Sequence, residues 1–326
     1  MPLPRNRRST QGGGLLLIGL PALALLALGV AAAAGGVHGS RVSGGPVATG
    51  VGNGSIAFVG TDIGSGDQPS FVYVMAATGA GQHRLTRESG HAWSPDWSPD
   101  GKKIAFVLDR ISGSALFGIA VANANGSGRV AVGPGLWGGE GNPAFSPDGK
   151  RIAFDAEGRG GEEQIFVMST SGTGVRRLTD LPGGVLGAQN PDWSPDGKEI
   201  VFNHDTVSNG PEIDVIQANG TGLRRLTKNN VETRPKWSPD GKKIAFARSG
   251  DIWVMNADGS VQRKLLSDGS DPAWSPDGKK IVFDRTWHGS VQVYVMNADG
   301  SGPHRLTSDP TTDDTSPSWQ PLLRRR

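Results

Sequence analysis

Short apolar runs alternate with polar, turn-rich segments along most of this chain, a pattern that predicts β-strands rather than helices. The apolar run Ile104–Phe106 follows the tetrapeptide Ser98–Gly101, in which Pro, Asp and Gly occupy the positions that they favour in tight turns. This ten-residue unit recurs along the chain as Trp97–Phe106, Phe145–Phe154, Trp193–Phe202, Trp237–Phe246 and Trp274–Phe283. A strand-rich repeat with a period near 45 residues is typical of β-propellers.

A second apolar run, a turn and a basic strand follow each unit. In the fifth unit they are Ile252–Met255, Asn256–Ser260 and Arg263–Leu266. Each repeat therefore predicts four strands, which we name A (around the Trp), B (the Ile-x-Phe run), C and D. The B and C strands are apolar on both faces, as expected of a sheet packed between two others. The D strands are polar at alternate positions and basic, as expected of an outer edge.

The two ends of the repeat region complement each other. The first unit begins with a B strand at Ile56–Phe58, and the last segment, Pro317–Pro321, is an A strand without a following B strand. We therefore predict an all-β, six-bladed propeller of four-stranded antiparallel blades over residues 53–321, closed by the C-terminal strand in the first blade. Trp93–Asp96 duplicates Trp97–Asp100, and we take the register from the second copy, because only that copy precedes a B strand.

These repeats resemble the TolB-type propeller repeat, which is similar to WD repeats. The resemblance covers nearly all of residues 53–321. It implies a propeller outside the cytoplasm that binds other envelope proteins. TolB proteins carry an α/β domain before the propeller, for which we expect no room in this chain. Similar propellers precede the hydrolase domain of prolyl-oligopeptidase-like peptidases, but the chain has no Gly-x-Ser-x-Gly nucleophile motif.

The N-terminal region has the pattern of an export signal. Three arginines precede the uncharged, mostly apolar stretch Leu15–Ala34, which ends in alanines. We predict a signal peptide or N-terminal membrane anchor over residues 1–36 and a Gly- and Ser-rich linker over residues 37–52. The propeller would then lie outside the cytoplasm, as a periplasmic, secreted or membrane-anchored domain. Residues 322–326 form a short basic tail.

Composition narrows the chemistry. The 326 residues include 50 glycines and no cysteine, which excludes disulfides, thiolate metal sites and cysteine nucleophiles. The formal net charge of the whole chain is +2. Three arginines lie in the leader, so the net charge of the residues after the leader is close to zero. This balance gives no reason to predict nucleic-acid binding.

Candidate binding residues are those that depart from the repeat. The turn chemistry alone explains the Asp of each Ser-Pro-Asp-Gly tetrad, and packing between blades explains the repeated Trp. In a propeller the B–C and D–A connections share one face, and variable loops carry specificity. The residues predicted to line that face are His91, Asp109, Arg110, Trp137, Asp155, His204, Asp205, Arg248, Asp284, Arg285, Trp287 and His288.

A metal site is a weaker alternative for part of this set. His204 and Asp205 with His91 and His288 would offer ligands, and propeller-type oligogalacturonate lyases, which this repeat also resembles, use metal-bound His. The histidines are few and irregularly placed, so we predict no metal and no cofactor. The expected function is a non-catalytic module that binds an envelope protein, peptide or glycan and meets the membrane only through an uncleaved N-terminal segment. The alternative is a metal-dependent polysaccharide lyase or a hydrolase with its site at the channel mouth.

Overall fold

The computed structural model describes residues 54–321, except 87–90, 110–117, 134, 136–138, 159, 182–184, 207–209 and 229–230. In these ranges the chain forms strands, turns and bends without a helix. The predicted leader, linker and basic tail lie outside the described residues. Within the described ranges, no helix has the length and apolarity to cross a membrane.

The inner half of each repeat forms the predicted A and B strands. The A strands are β4 (Ala92–Trp97), β8 (Glu140–Phe145), β12 (Val185–Trp193), β16 (Glu232–Trp237), β20 (Ser270–Trp274) and β24 (Thr312–Trp319). The B strands are β1 (Ile56–Asp62), β5 (Lys103–Leu108), β9 (Arg151–Glu157), β13 (Glu199–Thr206), β17 (Lys243–Arg248) and β21 (Lys280–Trp287). Several B strands extend beyond the apolar run on which they were predicted.

The outer half forms the C and D strands. The C strands are β2 (Ser70–Met75), β6 (Gly118–Asn123), β10 (Glu163–Ser169), β14 (Gly210–Gln217), β18 (Asp251–Asn256) and β22 (Ser290–Asn297). The D strands are β3 (His83–Arg84), β7 (Val130–Ala131), β11 (Arg176–Arg177), β15 (Arg224–Arg225), β19 (Arg263–Leu266) and β23 (His304–Arg305). Five of the six D strands span only two residues, and most of these residues are exposed.

The strands pair in the order A-B-C-D within antiparallel sets. Four sets are separate four-stranded sheets, one of which has the order β24-β1-β2-β3. The other two sets share an eight-stranded sheet through one parallel pairing, of Glu163 in β10 with Gly187 in β12. The last strand therefore pairs with the first, with Trp319 opposite Ile56, as the sequence predicted.

A β-bulge interrupts every A strand at an X-Pro pair. The residue before the proline has a positive φ between 42° and 55° in all six strands, at Ser94, Asn142, Asn190, Arg234, Asp271 and Ser316. The pairing register with the B strand shifts at this point each time. This explains the duplicated Trp93–Asp96 motif: Ser94-Pro95 is the bulge of β4, and Trp97, opposite Ile104, holds the repeat position.

The tetrad aspartates stabilise the A–B turns. In the first complete repeat, the Ser98 hydroxyl donates to Asp100 at 2.7 Å and accepts the Lys103 N–H at 2.9 Å. The Asp100 carboxylate also accepts the Lys102 N–H at 3.1 Å. These contacts hold the pKa of Asp100 below its usual value, although partial burial works in the opposite direction. The same network recurs at Asp148, Asp196, Asp240 and Asp277, so it accounts for their repetition.

The core consists of apolar layers between successive sets of strands. The phenylalanine of each B strand is almost fully buried. On the outer side, a C–D turn glycine from each set packs on a backbone carbonyl of the preceding set. A Cβ atom on Gly259, for example, would lie 2.7 Å from the Leu226 oxygen. The series continues from the first set to the last, since a Cβ on Gly79 would lie 2.7 Å from the Leu306 oxygen.

Candidate functional site

One cavity of about 930 Å³ is lined by residues from all six A strands, and we call it the A-strand cavity. Its wall contains prolines from the bulges and from the A–B turns, together with Trp237, Trp274 and Trp319. The volume falls in the range of protein pockets that hold a ligand. Of the twelve residues predicted as binding residues, the ten that the structure describes do not line it.

The bulge residues form a belt of hydrogen bonds around the cavity. The Ser94 hydroxyl donates to the Asn142 side chain at 2.8 Å, and the Asn190 amide donates to Asn203 at 2.8 Å. On the far side, Arg234 forms an ion pair with Asp271. All six bulge residues line the cavity, so the positions with a positive φ coincide with its polar lining.

A second layer of charge follows the bulge prolines by one residue. Asp96 accepts the N–H of Phe145 at 2.8 Å, and Asp192 accepts the N–H of Trp237 at 2.7 Å. Each of these bonds connects one set of strands to the next. Lys236 occupies the corresponding position of β16 and donates to Asp192 at 3.3 Å. The charges Asp96, Asp192 and Lys236 therefore break the symmetry of a cavity built from repeats.

Removal from water perturbs these groups. Burial raises the pKa of Asp96 to about 6, although Lys236 and the Phe145 N–H work in the opposite direction. Burial also raises the pKa of Asp192. For Lys236, burial acts to lower the pKa, but Asp192 and Asp96 outweigh it and leave the pKa above its usual value.

Asp155 and Asp284 are the two predicted residues that reach the belt. Both lie inside B strands rather than in loops, and both are buried. Asp155 accepts the Asn190 N–H at 2.8 Å and the Asn142 amide at 2.9 Å, while Asp284 accepts the Ser316 N–H at 3.3 Å. Burial raises the pKa of each carboxyl to about 7, and Asp271 adds to the effect at Asp284.

His204 belongs to a separate buried cluster in the fourth set. Its Nδ1 lies 2.9 Å from the Asp214 carboxylate, and Arg225 lies 2.6 Å from Glu212 on the same strand as Asp214. The His204 side chain is 7% exposed. His204 and Asp205 were expected in a loop, but they continue the β13–β14 hairpin, where His204 is opposite Glu212.

The remaining predicted residues are dispersed over the loop end of the sheets. His91 accepts the Asp109 N–H at 2.8 Å through its carbonyl. Arg248 donates to buried Glu232 at 2.8 Å and covers the ring of Trp253. Arg110 and Trp137 lie outside the described residues.

The tip of the β21–β22 hairpin carries the last three predicted residues. Arg285 lies 3.5 Å from Asp268, and Trp287, which ends a strand instead of lying in a loop, is 36% exposed. His288 meets the Trp287 ring edge-on, and the Arg305 guanidinium lies 3.7 Å from that ring. Among the described residues, no three His, Asp or Glu side chains are arranged to hold a metal ion.

Sequence reasoning missed the cavity residues Asp96, Asp192, Arg234, Lys236 and Asp271. The available signal was the X-Pro pair of each A strand, which recurs with the repeat and marks the bulge. A charged residue directly before or directly after the proline of such a pair was therefore a candidate for the cavity lining.

The fold is that of a β-propeller. Comparison with solved structures shows which propellers it is similar to. TolB from Acinetobacter baumannii is 26% identical, with a TM-score of 0.72 over 83% of this chain and 68% of that one. A putative TolB from Agrobacterium tumefaciens is 21% identical, with a TM-score of 0.63 over 82% of this chain and 99% of that one. A chain of a nidogen/laminin complex is 13% identical, with a TM-score of 0.67 over 83% of this chain. No family model and no curated protein matches the sequence. The chain has a TolB-like propeller fold.

Proposed function

We propose that the six sets of strands form a closed six-bladed ring with the A-strand cavity at its axis. Two kinds of contact support closure: the pairing of β24 with β1, and the packing of the Gly79 turn on Leu306 of the last set. Six A strands around one cavity support the blade number. Closure protects the inner strands from unwanted edge pairing.

We infer that this propeller is a non-catalytic protein-binding module of the cell envelope, located outside the cytoplasm. The observation that carries the proposal is the A-strand cavity, whose wall combines prolines and three tryptophans with charged side chains from four of the six A strands. Apolar and aromatic surface with a few placed charges suits a polypeptide segment, because the wall contributes contact area and the charges contribute orientation. The TolB-like fold supports an envelope role.

Two carboxylates of the cavity wall are engaged in ion pairs and hydrogen bonds. Asp192 accepts from Lys236 and a backbone N–H, and Asp271 accepts from Arg234 and the Ser316 hydroxyl. An incoming segment can compete for Lys236 and Arg234 at the wall, and this competition would select its sequence.

Affinity capture from an envelope extract tests the proposal. The bait would be the wild-type chain, Lys236→Gln, and Lys264→Gln as a matched control, because Lys264 forms an exposed pair with Asp251 outside the cavity. We expect one protein to be retained in stoichiometric amount by the wild type and the control and lost with Lys236→Gln. Equal retention of that protein by all three baits would exclude the cavity as its binding site. Turnover of an envelope polysaccharide without any retained protein would exclude a non-catalytic role.

A further inference from the structure

The antiparallel order of each set separates its connections onto two opposite faces. The A–B and C–D turns lie at one end of the strands, which we call the turn face. The B–C and D–A connections lie at the other end, which we call the loop face. In the closed ring proposed above, on which this inference rests, the repeat places the same turn at the same height, so a charge in the repeated turn forms a coplanar array.

The turn face carries such an array of cations. Nearly every tetrad is followed by two basic residues, and the first is an exposed lysine in all five cases, namely Lys102, Lys150, Lys198, Lys242 and Lys279. The tetrad aspartates lie beside them, but each of these carboxylates is bonded back to its own turn. Lys198 also forms an ion pair with Asp196 at 3.4 Å. Exposed Asp258 and Asp299 lie in C–D turns of the same face.

The loop face carries the opposite charge. Exposed carboxylates at its B–C and D–A connections include Asp62, Asp67, Asp180, Asp268 and Asp309. Three of them contact cations or backbone donors within their own connection, at Gly64, Arg177 and Thr311. The molecule therefore has a charge asymmetry along the ring axis, although its total charge is close to zero.

The two ends of the described range lie at the turn face. Ser55 and Gln320 are bonded to each other there, and the Gln320 amide donates to Gly101 in the first tetrad turn at 2.8 Å. In the sequence, residues 1–53 include four arginines and no acidic residue.

We propose that the turn face docks on an anionic membrane surface and holds the loop face away from the bilayer. A flat array of lysines complements a plane of anionic headgroups, whereas a flexible polyanion has no need of coplanar charges. A cation held near such a surface contributes about 1 kcal/mol. Docking by several lysines together is strong enough to orient the ring, and it weakens with salt.

The absence of cysteine makes the orientation measurable in the full chain. Ala80→Cys labels an exposed C–D turn on the turn face, and Ser308→Cys labels an exposed D–A connection on the loop face. Each labelled protein is mixed with vesicles of phosphatidylcholine, alone or with phosphatidylglycerol. Quenching of the label by a lipid-bound quencher is then recorded at low and high salt. Comparing two positions on the same chain separates docking of the face from tethering by the N-terminal segment.

We expect the Ala80 label to be quenched on phosphatidylglycerol vesicles and released by salt, with the Ser308 label unaffected. Replacing the five lysines by Gln should weaken this quenching by roughly fivefold per lysine. Lys228→Gln, on the loop face, is the matched control and should change nothing. Thermal unfolding of the five-lysine variant verifies that it is folded.

Several results would overturn the proposal. Quenching of both labels to the same extent would mean that the ring has no preferred orientation. Equal quenching on the two kinds of vesicle would mean that lipid charge has no role. If the turn-face label of the five-lysine variant were quenched as strongly as that of the wild type, the lysine array would be excluded as the docking surface. Release of the turn-face label by soluble polyphosphate at constant ionic strength would assign the face to a polyanion instead. None of these results depends on the A-strand cavity, so the proposed function is tested separately.

Discussion

Ser55 and Gln320 lie 265 residues apart in the chain and bond to each other twice. The Gln320 N–H donates to the Ser55 carbonyl at 2.7 Å, and the Ser55 N–H donates to the Gln320 side chain at 3.0 Å. Gln320 also donates to Gly101 in the neighbouring tetrad turn at 2.8 Å. One side chain thus connects the last strand, the first strand and the next turn, in place of the tetrad that the last repeat lacks.

Gln320→Ala should destabilise the fold, because it leaves the Ser55 N–H and the Gly101 carbonyl without the Gln320 side chain. We expect the free energy of unfolding to fall by roughly 1–3 kcal/mol, measured by urea denaturation. Gln217→Ala is the control, since Gln217 bonds within a single C–D turn. Equal losses in the two variants would argue against a special role for the junction.

Alanine substitutions at Gly259 and Gly250 would distinguish two losses of stability, one from backbone strain and one from steric contact between neighbouring sets of strands. Both have a positive φ, 87° and 78°, but only Gly259 has a neighbour, the Leu226 oxygen, where a Cβ atom would lie. Gly250→Ala should cost about 1 kcal/mol from strain alone. Gly259→Ala should cost roughly 2 kcal/mol more, because a backbone must shift. Thermal unfolding of both variants would measure the difference, and similar losses would contradict close packing of the sets.

Asp155 should make the protein less stable as the pH rises toward and above neutrality. An unfolded Asp has a pKa of about 3.9, whereas burial raises the pKa of Asp155 to about 7 in the folded protein. Between these values the folded state binds more protons, so the free energy of unfolding decreases as the pH rises. Asp155→Asn should reduce the loss between pH 5 and 8 by roughly 1–3 kcal/mol, measured by urea denaturation.

The exposed turn residue Asp148 is the control for that experiment. Bonds from Ser146 and the Lys150 N–H hold its pKa below the usual value, so its contribution is present at neutral pH and is lost only in acid. Asp148→Asn should therefore leave the change between pH 5 and 8 as it is in the wild type. An Asp155→Asn protein with an unchanged pH dependence would show that Asp155 does not titrate in this range.

Asp192→Ala should lower the free energy of unfolding substantially, although Asp192 lies at the wall of a cavity. It removes the acceptor of the Trp237 N–H and the carboxylate that pairs directly with Lys236. We expect a loss of roughly 2–4 kcal/mol in the free energy of unfolding. Lys236→Met in the same chain should recover part of this loss, because the unpaired charge is removed as well. Strict additivity of the two changes in a double-mutant cycle would refute the coupling.

The repeat made most of the secondary structure predictable, because each turn is specified by the residues inside it. The tetrad Ser98–Gly101 forms the A–B turn with partners no more than five residues away. The strands around it were therefore found, and Trp97 was assigned to the right register. The ends of the B strands were not found, since Asp284 and Trp287 extend β21 through pairing with β22 rather than through their own propensities.

The candidate site was much less predictable. Residues that depart from the repeat were expected on the loop face, yet the charges of the cavity come from the A strands, where the repeat looked uniform. Asp96 lies within the Trp93–Asp96 copy, where it resembles a turn residue, and only the bulge at Ser94 places it on the cavity wall.

By itself the sequence determined the all-β class, the four-strand unit and the partnership of the last strand with the first, because turn residues and apolar alternation act over a few positions. Only the tertiary structure decided which side chains meet at the A-strand cavity. Lys236 and Asp192 are brought together by the packing of two separate sets of strands, and Asp155 reaches Asn190 for the same reason. Contacts of this kind depend on the twist and spacing of whole sheets, which no local pattern encodes.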